Sequence, residues 1–171
     1  MEINVLLGNI FNFAAIICDF IANSRKTKKE VLTVQYFSLG FYSLVMVALN
    51  TPSALVQNLL GIVRNYFAIK DKENKTVDWI IVSLCLIVGL VVNINGVLGL
   101  LPVIANVTYS VVMITCKDNV VKLKLALIFN MALYAIFNFA VSNIVGVINN
   151  VVLIIWTLIF LYKNIKEKKN I

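Results

Sequence analysis

The composition of this 171-residue chain excludes an ordinary soluble domain. Hydrophobic residues make up 61% of the sequence, charged residues only 13%, and the mean hydropathy is +0.93; soluble domains carry roughly 45–50% apolar and about 25% charged residues. The net charge of +7 does not indicate nucleic-acid binding, because the lysines flank apolar runs and form no groove interleaved with stacking aromatic residues. The first expected partner is therefore a lipid bilayer, and no nucleic acid is expected.

Seven apolar runs are long enough to cross the hydrocarbon layer, which takes about 20 residues of helix. They are predicted at 4–22, 31–49, 53–70, 77–93, 97–116, 121–140 and 143–162. The predicted fold class is an all-α membrane protein with seven transmembrane helices.

The distribution of basic residues predicts the orientation of these spans. Fourteen of the fifteen Lys and Arg residues follow the first, third, fifth or seventh span, and the connections after the second, fourth and sixth spans carry none. Because basic loops stay in the cytoplasm, the N-terminus is expected outside and the C-terminus in the cytoplasm. Opposite locations for the two termini require an odd number of spans, which agrees with seven.

The sequence resembles itself when it is shifted by 92 positions. Tyr42 then falls on Tyr134, Asn58 falls on Asn150, and the basic connection after the third span falls on the basic C-terminus. This predicts two parallel three-helix bundles, at 1–75 and 97–171, joined by an inverting linker helix within 76–96. The expected arrangement is three, one and three helices.

Six of the seven spans carry polar side chains at helical spacing, and only the fourth lacks such a stripe. In hydrocarbon, polar side chains face a protein interior or a water-filled cavity, so the fourth span is expected to face lipid. Several of the amides lie near the middle of their spans, where carriers place their substrate site. The predicted substrate-binding residues are Asn12, Tyr42, Asn58, Asn106, Asn130, Tyr134, Asn150 and Trp156.

The chemistry of these residues favours a neutral solute with hydroxyl or amide groups. Amides and tyrosines both donate and accept hydrogen bonds, and Trp156 offers a surface on which a sugar or base ring stacks. The alternative interpretation of any single asparagine is that it joins helices, with a contribution on the order of 1 kcal/mol. The sequence leaves both interpretations open.

Two ionisable side chains, Asp19 and Arg64, lie deep within spans toward the cytoplasmic side. An isolated charge in hydrocarbon costs several kcal/mol, so the two are predicted to form an ion pair. Such a pair would serve either as a cytoplasmic gate or as a static clamp between helices. The alternative remedy is that Arg64 extends to the lipid headgroups.

Metal binding and catalysis are not expected. The chain has no His, and Cys18, Cys85 and Cys116 lie far apart within apolar runs. Zinc sites need clustered ligands, and covalent or acid–base catalysis needs a nucleophile beside a base. We therefore expect no metal, no cofactor and no enzymatic activity.

Four short patches resemble the YgjV-type bacterial inner-membrane proteins. They are Leu101-Pro102-Val103-Ile104, Val63-Arg64-Asn65, the basic stretch from Lys26 to Lys29, and Phe137-Asn138-Phe139. That family is similar to the SWEET, SemiSWEET, PQ-loop and PnuC transporters. The resemblance implies a location in the bacterial inner membrane, two parallel three-helix bundles with a linker, and facilitated alternating-access movement of a sugar-, nucleoside- or vitamin-like solute.

The resemblance also implies roles for particular residues. In SWEET-like proteins paired asparagines on the third helix of each bundle line the pocket, and the matching positions here are Asn58 and Asn150. The Pro-Gln pair of PQ-loop proteins is absent, because the first span has Gly8-Asn9 and the fifth has Pro102-Val103. A proline hinge is therefore expected only at Pro102, where the ring would free a backbone carbonyl.

The leading functional hypothesis is a passive carrier in which two bundles rock around a small-molecule site. The alternative is a non-transporting membrane receptor or a subunit of a larger membrane complex, which co-purifying partners would favour. Proton coupling would depend on Asp19 alone. Substrate identity, direction and assembly as a monomer or homo-oligomer are left open by the sequence.

Overall fold

The computed structural model describes residues 3–70, 75–94, 96–116 and 119–169, and within these ranges the chain is all-helical, without strands. The helices are α1 (Ile3–Ser24), α2 (Lys28–Ala48), α3 (Pro52–Ile69), α4 (Lys75–Val91), α5 (Leu100–Thr115), α6 (Val120–Ala140) and α7 (Ile144–Lys169). The prediction of seven helices is confirmed. Most of the helix ends lie within three residues of the predicted ones, but α7 continues well beyond its predicted end at 162.

Four of the helices are long and apolar enough to cross a membrane by length and composition alone. They are Leu7–Ser24, Lys28–Ala48, Val120–Ala140 and Ile144–Asn164. The apolar segments Thr76–Val91 and Leu100–Thr115 are shorter. α3 has 18 residues, but it carries two asparagines, a glutamine and an arginine. These polar residues make its mean hydropathy lower than that of the four helices.

The starts of α2 and α6 are built alike. Thr27 Oγ1 accepts a hydrogen bond from the backbone N–H of Glu30 (3.3 Å), and Asn119 Oδ1 accepts one from the N–H of Lys122 (3.1 Å). Both are N-caps, which satisfy a donor that the first helical turn leaves unpaired. The two capping residues, and the two residues that they cap, lie 92 positions apart.

The turns that end α2 and α6 also match. Asn50 (φ 52°) and Ser142 (φ 59°) are the non-glycine residues with positive φ in the described chain, and they too are 92 positions apart. In each turn the N–H of the next residue returns to the carbonyl five residues earlier, at 3.0 Å and 2.8 Å. This hydrogen bond is typical of a helix C-terminus that ends with a residue in the left-handed conformation. Two turns of the same unusual geometry therefore reverse the chain at equivalent places.

The helices pack as a ring of six with α4 at one side. α2 packs on α1 and α3, α6 packs on α5 and α7, and contacts of α3 with α5 and of α1 with α7 complete the ring. α4 packs on α3 and α5, where Gln57 Nε2 donates to the Cys85 carbonyl (2.8 Å). Gly89 permits this close approach, since a Cβ there would lie 2.7 Å from Val103 Cγ2. The rest of α4 is largely exposed.

The two ends of the ring differ in charge. Short connections join successive helices, so their direction alternates, and α1, α3, α5 and α7 end on one side. We call this side the basic face; it carries Arg25, Lys70, Lys122 and Lys163, and the opposite face carries the turns at Asn50 and Ser142.

A buried hydrophobic cluster lies toward each face. The cluster of the opposite face comprises Val45, Met46, Ala54 and Phe137. The cluster nearer the basic face comprises Val31, Leu32, Ala68, Tyr109, Met113, Cys116, Leu123, Ala126, Leu127, Met131 and Leu153. Apolar packing therefore lies on both sides of the middle of the ring.

Candidate binding cavity

A cavity of about 90 Å³, lined mainly by residues with polar side chains, lies inside the ring of six helices. It is lined by Asn12 and Asp19 of α1; Gln35, Ser38, Leu39, Tyr42 and Met46 of α2; Asn58 and Arg64 of α3; Asn106 and Tyr109 of α5; Leu127, Asn130, Met131, Tyr134 and Asn138 of α6; and Asn143 and Asn150 at the start of α7. Among the residues that the structure describes, α4 contributes none. Most of the lining side chains are polar, as expected of a solute site within a membrane.

Seven of the eight predicted substrate-binding residues line this cavity, and Trp156 does not. Trp156 is 42% exposed on the outer surface of α7, where its ring packs edge-to-face on Phe20 with 5.6 Å between the ring centroids. Its helical position places it on the opposite side of α7 from the cavity. The indole is therefore not available to stack on a solute inside the ring.

More pairs of lining residues lie 92 positions apart than the identical residues alone indicate. Six pairs of them are equivalent by this offset: Gln35 and Leu127, Ser38 and Asn130, Leu39 and Met131, Tyr42 and Tyr134, Met46 and Asn138, and Asn58 and Asn150. The predicted site included both members of only the Tyr42 and Asn58 pairs. Subtracting the offset from the position of Asn130 would have added Ser38, which lies one helical turn before Tyr42.

One of the predicted amides joins helices. Asn106 Nδ2 donates to the carbonyl of Gln57 (2.8 Å) and to its side-chain Oε1 (3.1 Å), and lies 3.6 Å from Cys85 Sγ. Its Oδ1 accepts from Arg64 Nη1 (2.9 Å). Asn106 therefore ties α3, α4 and α5 together, as the interhelical interpretation of these amides expects.

Other amides have groups that no protein atom satisfies. Both amide atoms of Asn12 and the Nδ2 of Asn58 are buried without a hydrogen-bond partner, although these residues are only 1% and 4% exposed. Asn58 Oδ1 accepts a long hydrogen bond from Tyr134 Oη (3.5 Å). A buried polar group left unpaired costs about 1–3 kcal/mol. These amides therefore do not stabilise the protein by joining helices. Both residues line the cavity, so these amides are hydrogen-bonding groups beside it that the described protein leaves unused.

The Asp19 carboxylate is held by hydroxyl groups. Ser38 Oγ donates to its Oδ1 (2.5 Å) and Tyr42 Oη donates to its Oδ2 (2.6 Å). Tyr42 Oη also accepts a hydrogen bond from Asn149 Nδ2. This chain of polar contacts links α1, α2 and α7 at the cavity wall.

The Arg64 guanidinium is held by neutral groups of α3 and α5. Its Nε and Nη2 donate to Asn65 Oδ1 (3.1 and 3.0 Å), and its Nη1 donates to Asn106 Oδ1 (2.9 Å) and Ser110 Oγ (2.6 Å). The ring of Tyr109 lies against it, with 4.8 Å from Cζ to the ring centroid. Arg64 is 3% exposed, so it does not extend to the headgroups.

The predicted ion pair between Asp19 and Arg64 is wrong, because neither side chain contacts an opposite charge among the described residues. The physical reason is the position of α2, which packs against both α1 and α3. It offers Asp19 two hydroxyl donors, while α5 offers Arg64 amide and hydroxyl acceptors. Both charges nevertheless face the same cavity.

The predicted hinge at Pro102 is also not supported. α5 begins at Leu100, so Pro102 lies in its first turn, where backbone N–H groups have no partner within the helix in any case. The carbonyl four residues earlier, that of Leu98, accepts from the N–H of Leu101 (3.1 Å). The proline therefore starts the helix and leaves no freed carbonyl within it.

Near the basic face, polar contacts join α1 to α6 and α7. The Lys124 ammonium donates to the carbonyl of Asn23 and lies 3.8 Å from the ring centroid of Phe160. Thr157 Oγ1 donates to Asn23 Oδ1 (2.9 Å). Lys124 is fully buried although the sequence suggested a loop cation. These contacts hold the ring closed on this side.

Long apolar helices around an internal cavity lined by polar residues define an integral membrane protein. The profile of a known family, described as bacterial inner membrane protein (Imp-YgjV), matches residues 6–168. The chain belongs to this family, as its short sequence patches indicated. No curated protein and no solved structure matches the chain.

Proposed function

We propose that the protein is a facilitative carrier that moves a small polar solute, neutral overall, across the bacterial inner membrane by alternating access. The observation that carries this proposal is the cavity itself. Two sets of helices line it at equivalent positions, and it presents buried amide groups that have no protein partner. Interhelical contacts alone do not account for Asn12, whose amide has no hydrogen-bond partner among the residues that the structure describes.

In this proposal α1–α3 and α5–α7 are two parallel three-helix bundles and α4 is the linker that inverts the chain. The equivalent N-caps, C-terminal turns and cavity positions at an offset of 92 residues support it, and so does the packing of α4 outside the cavity wall. The basic face would lie in the cytoplasm, with the N-terminus outside.

The gates of such a carrier would be the packing at the two faces. Toward the opposite face lies the cluster around Phe137 and Met46, and Met46 also lines the cavity. Toward the basic face lie the larger cluster and the contacts of Lys124 and Thr157 with Asn23. Rocking of one bundle against the other would separate these contacts on one side at a time.

Uptake into proteoliposomes tests this function. Screening sugars, nucleosides, vitamins and amino acids should identify a solute that the purified protein moves down its gradient. Asn58→Ala and Asn150→Ala should each lower its uptake about fivefold, because each loses a hydrogen bond to the solute worth about 1 kcal/mol. Asn164→Ala is the matched control, since Asn164 bonds within α7 to the Phe160 carbonyl (3.1 Å), outside the cavity.

Two results would count against a carrier. Binding of a solute without its movement would favour a receptor or a subunit of a larger complex. Equal uptake by the parent, Asn58→Ala and Asn150→Ala proteins would show that the solute does not bind these residues of the cavity during transport. The melting midpoint of each variant should be measured alongside, so that a loss of uptake is not a loss of folded protein.

A further inference from the structure

Two opposite charges face the cavity without meeting each other. Asp19 is 8% exposed and Arg64 is 3% exposed, and each is bonded only to neutral groups in the described protein. Charges held apart in this way within a membrane protein are costly, since mutual pairing is the usual remedy. A feature that costs stability at a polar cavity is a candidate for solute recognition.

Both groups retain hydrogen-bonding capacity. A carboxylate has about four acceptor sites, and the Ser38 and Tyr42 hydroxyls occupy two of those of Asp19. A guanidinium has five N–H groups, and the four hydrogen bonds of Arg64 leave one on Nη2. Each charge can therefore accept a further partner without losing the contacts that position it.

The charges are held on separate elements of the wall. Tyr109 packs on Arg64 and donates through its hydroxyl to Gln35 Oε1 (2.8 Å), so it stands between the Arg64 network and α2. Asp19 on α1 is held by hydrogen bonds from Ser38 and Tyr42 of α2. The cavity thus has a cationic position and an anionic position, with unpartnered amides of Asn12 and Asn58 in the same wall.

We propose that the solute is a small zwitterion, whose carboxylate or other anionic group binds Arg64 and whose ammonium group binds Asp19. This inference rests on the proposed solute site and names its substrate class. A zwitterion adds no net charge to a low-dielectric interior and gives both buried charges a counter-charge, which a singly charged solute cannot do. A cavity of about 90 Å³ has room for several water-sized groups, which fits a small zwitterion.

Binding of a charge-matched ligand series to the purified full-length protein tests the proposal. The series runs from glycine to 6-aminohexanoate; for each length the amide removes the negative charge and the hydroxy acid removes the positive charge. We expect at least one zwitterion to raise the melting midpoint and to bind about tenfold or more tightly than both of its analogues, since a charge-assisted hydrogen bond contributes about 1.5–3 kcal/mol.

Variants assign the two ends of the ligand. Asp19→Asn should remove the preference for the zwitterion over its hydroxy acid while keeping the preference over its amide. Arg64→Gln should do the reverse, and where it does not fold, the Asp19→Asn comparison still decides the ammonium end. Glu30→Gln and Arg25→Gln, at exposed positions outside the cavity, should leave both preferences unchanged.

The outcomes separate this inference from the carrier proposal. Equal binding by a zwitterion and its analogues, or no binding by any zwitterion of the series, would overturn the inference. If uncharged solutes are instead taken up by proteoliposomes, the carrier proposal stands alone. If a zwitterion binds with the expected preferences and is not moved, the substrate class stands and the carrier proposal falls.

Discussion

Arg64→Lys is expected to destabilise the protein strongly although it conserves the charge. The guanidinium makes four hydrogen bonds to three side chains of α3 and α5, among them Asn65 and Asn106. A lysine ammonium has three donors on a flexible stem and cannot reproduce this fork, so it would leave a buried charge with fewer partners. Loss of two charge-assisted hydrogen bonds corresponds to about 3 kcal/mol or more.

The chain offers a matched control, because its second arginine, Arg25, is exposed at the α1–α2 connection. Arg25→Lys should change the free energy of unfolding by no more than about 0.5 kcal/mol. Reversible unfolding of the purified proteins in detergent would provide both values. Equal stability of Arg64→Lys and the parent would show that the hydrogen bonds of Arg64 do not hold α3 to α5.

Asn12→Leu is expected to stabilise the protein and to abolish solute binding. Both amide atoms of Asn12 are buried without partners, so an apolar side chain of similar size removes an unpaired polar group that costs about 1–3 kcal/mol. The same substitution removes two hydrogen-bonding groups from the cavity wall. Gain of stability with loss of function is typical of residues kept for binding.

Asn106→Leu is the control, because Asn106 bonds to both Gln57 and Arg64. It should lower the melting midpoint, whereas Asn12→Leu should raise it. Ligand binding and the melting midpoint measured on the same samples give both quantities. If Asn12→Leu were as destabilising as Asn106→Leu, Asn12 would be an interhelical contact and not a residue kept for solute binding.

Much of the helical architecture could be predicted, because a bilayer forces every spanning segment to satisfy its own backbone hydrogen bonds. Polar side chains in such segments must point inward, which is why Asn12, Asn58 and Asn130 were expected to face one interior, and all three line the cavity. The equivalence of Asn58 and Asn150 followed from a repeat visible in only a few identities. Its fuller extent became visible through the paired caps and turns, which depend on backbone geometry and not on residue identity.

The contacts between helices could not be predicted in the same way. Position along a span indicates depth, and Asp19 and Arg64 do lie at similar depth, each five residues from the end of its helix. Depth does not reveal which helices lie next to each charge: α2 supplies the partners of Asp19, and α3 and α5 supply those of Arg64. Trp156 was placed in the cavity for a related reason. Its position around the axis of α7, and not its depth, decides that it faces outward.

The boundary of α5 explains the remaining error. The apolar run was predicted to start at 97, which would have placed Pro102 a full turn inside the helix. The chain instead makes a turn before Leu100, so Pro102 is in the first helical turn. Apolar residues before a helix cannot be distinguished by hydropathy from apolar residues within it.

Cysteine accessibility tests, without a known substrate, whether the cavity opens alternately to the two sides of the membrane. With Cys18, Cys85 and Cys116 replaced by alanine, Asn58→Cys would be treated with a membrane-impermeant thiol reagent in intact cells and in inside-out vesicles. We expect labelling from both sides, and none at Val45→Cys, which lies in the hydrophobic cluster of the opposite face. Labelling of Asn58→Cys from one side only, or from neither, would contradict alternating access to this cavity.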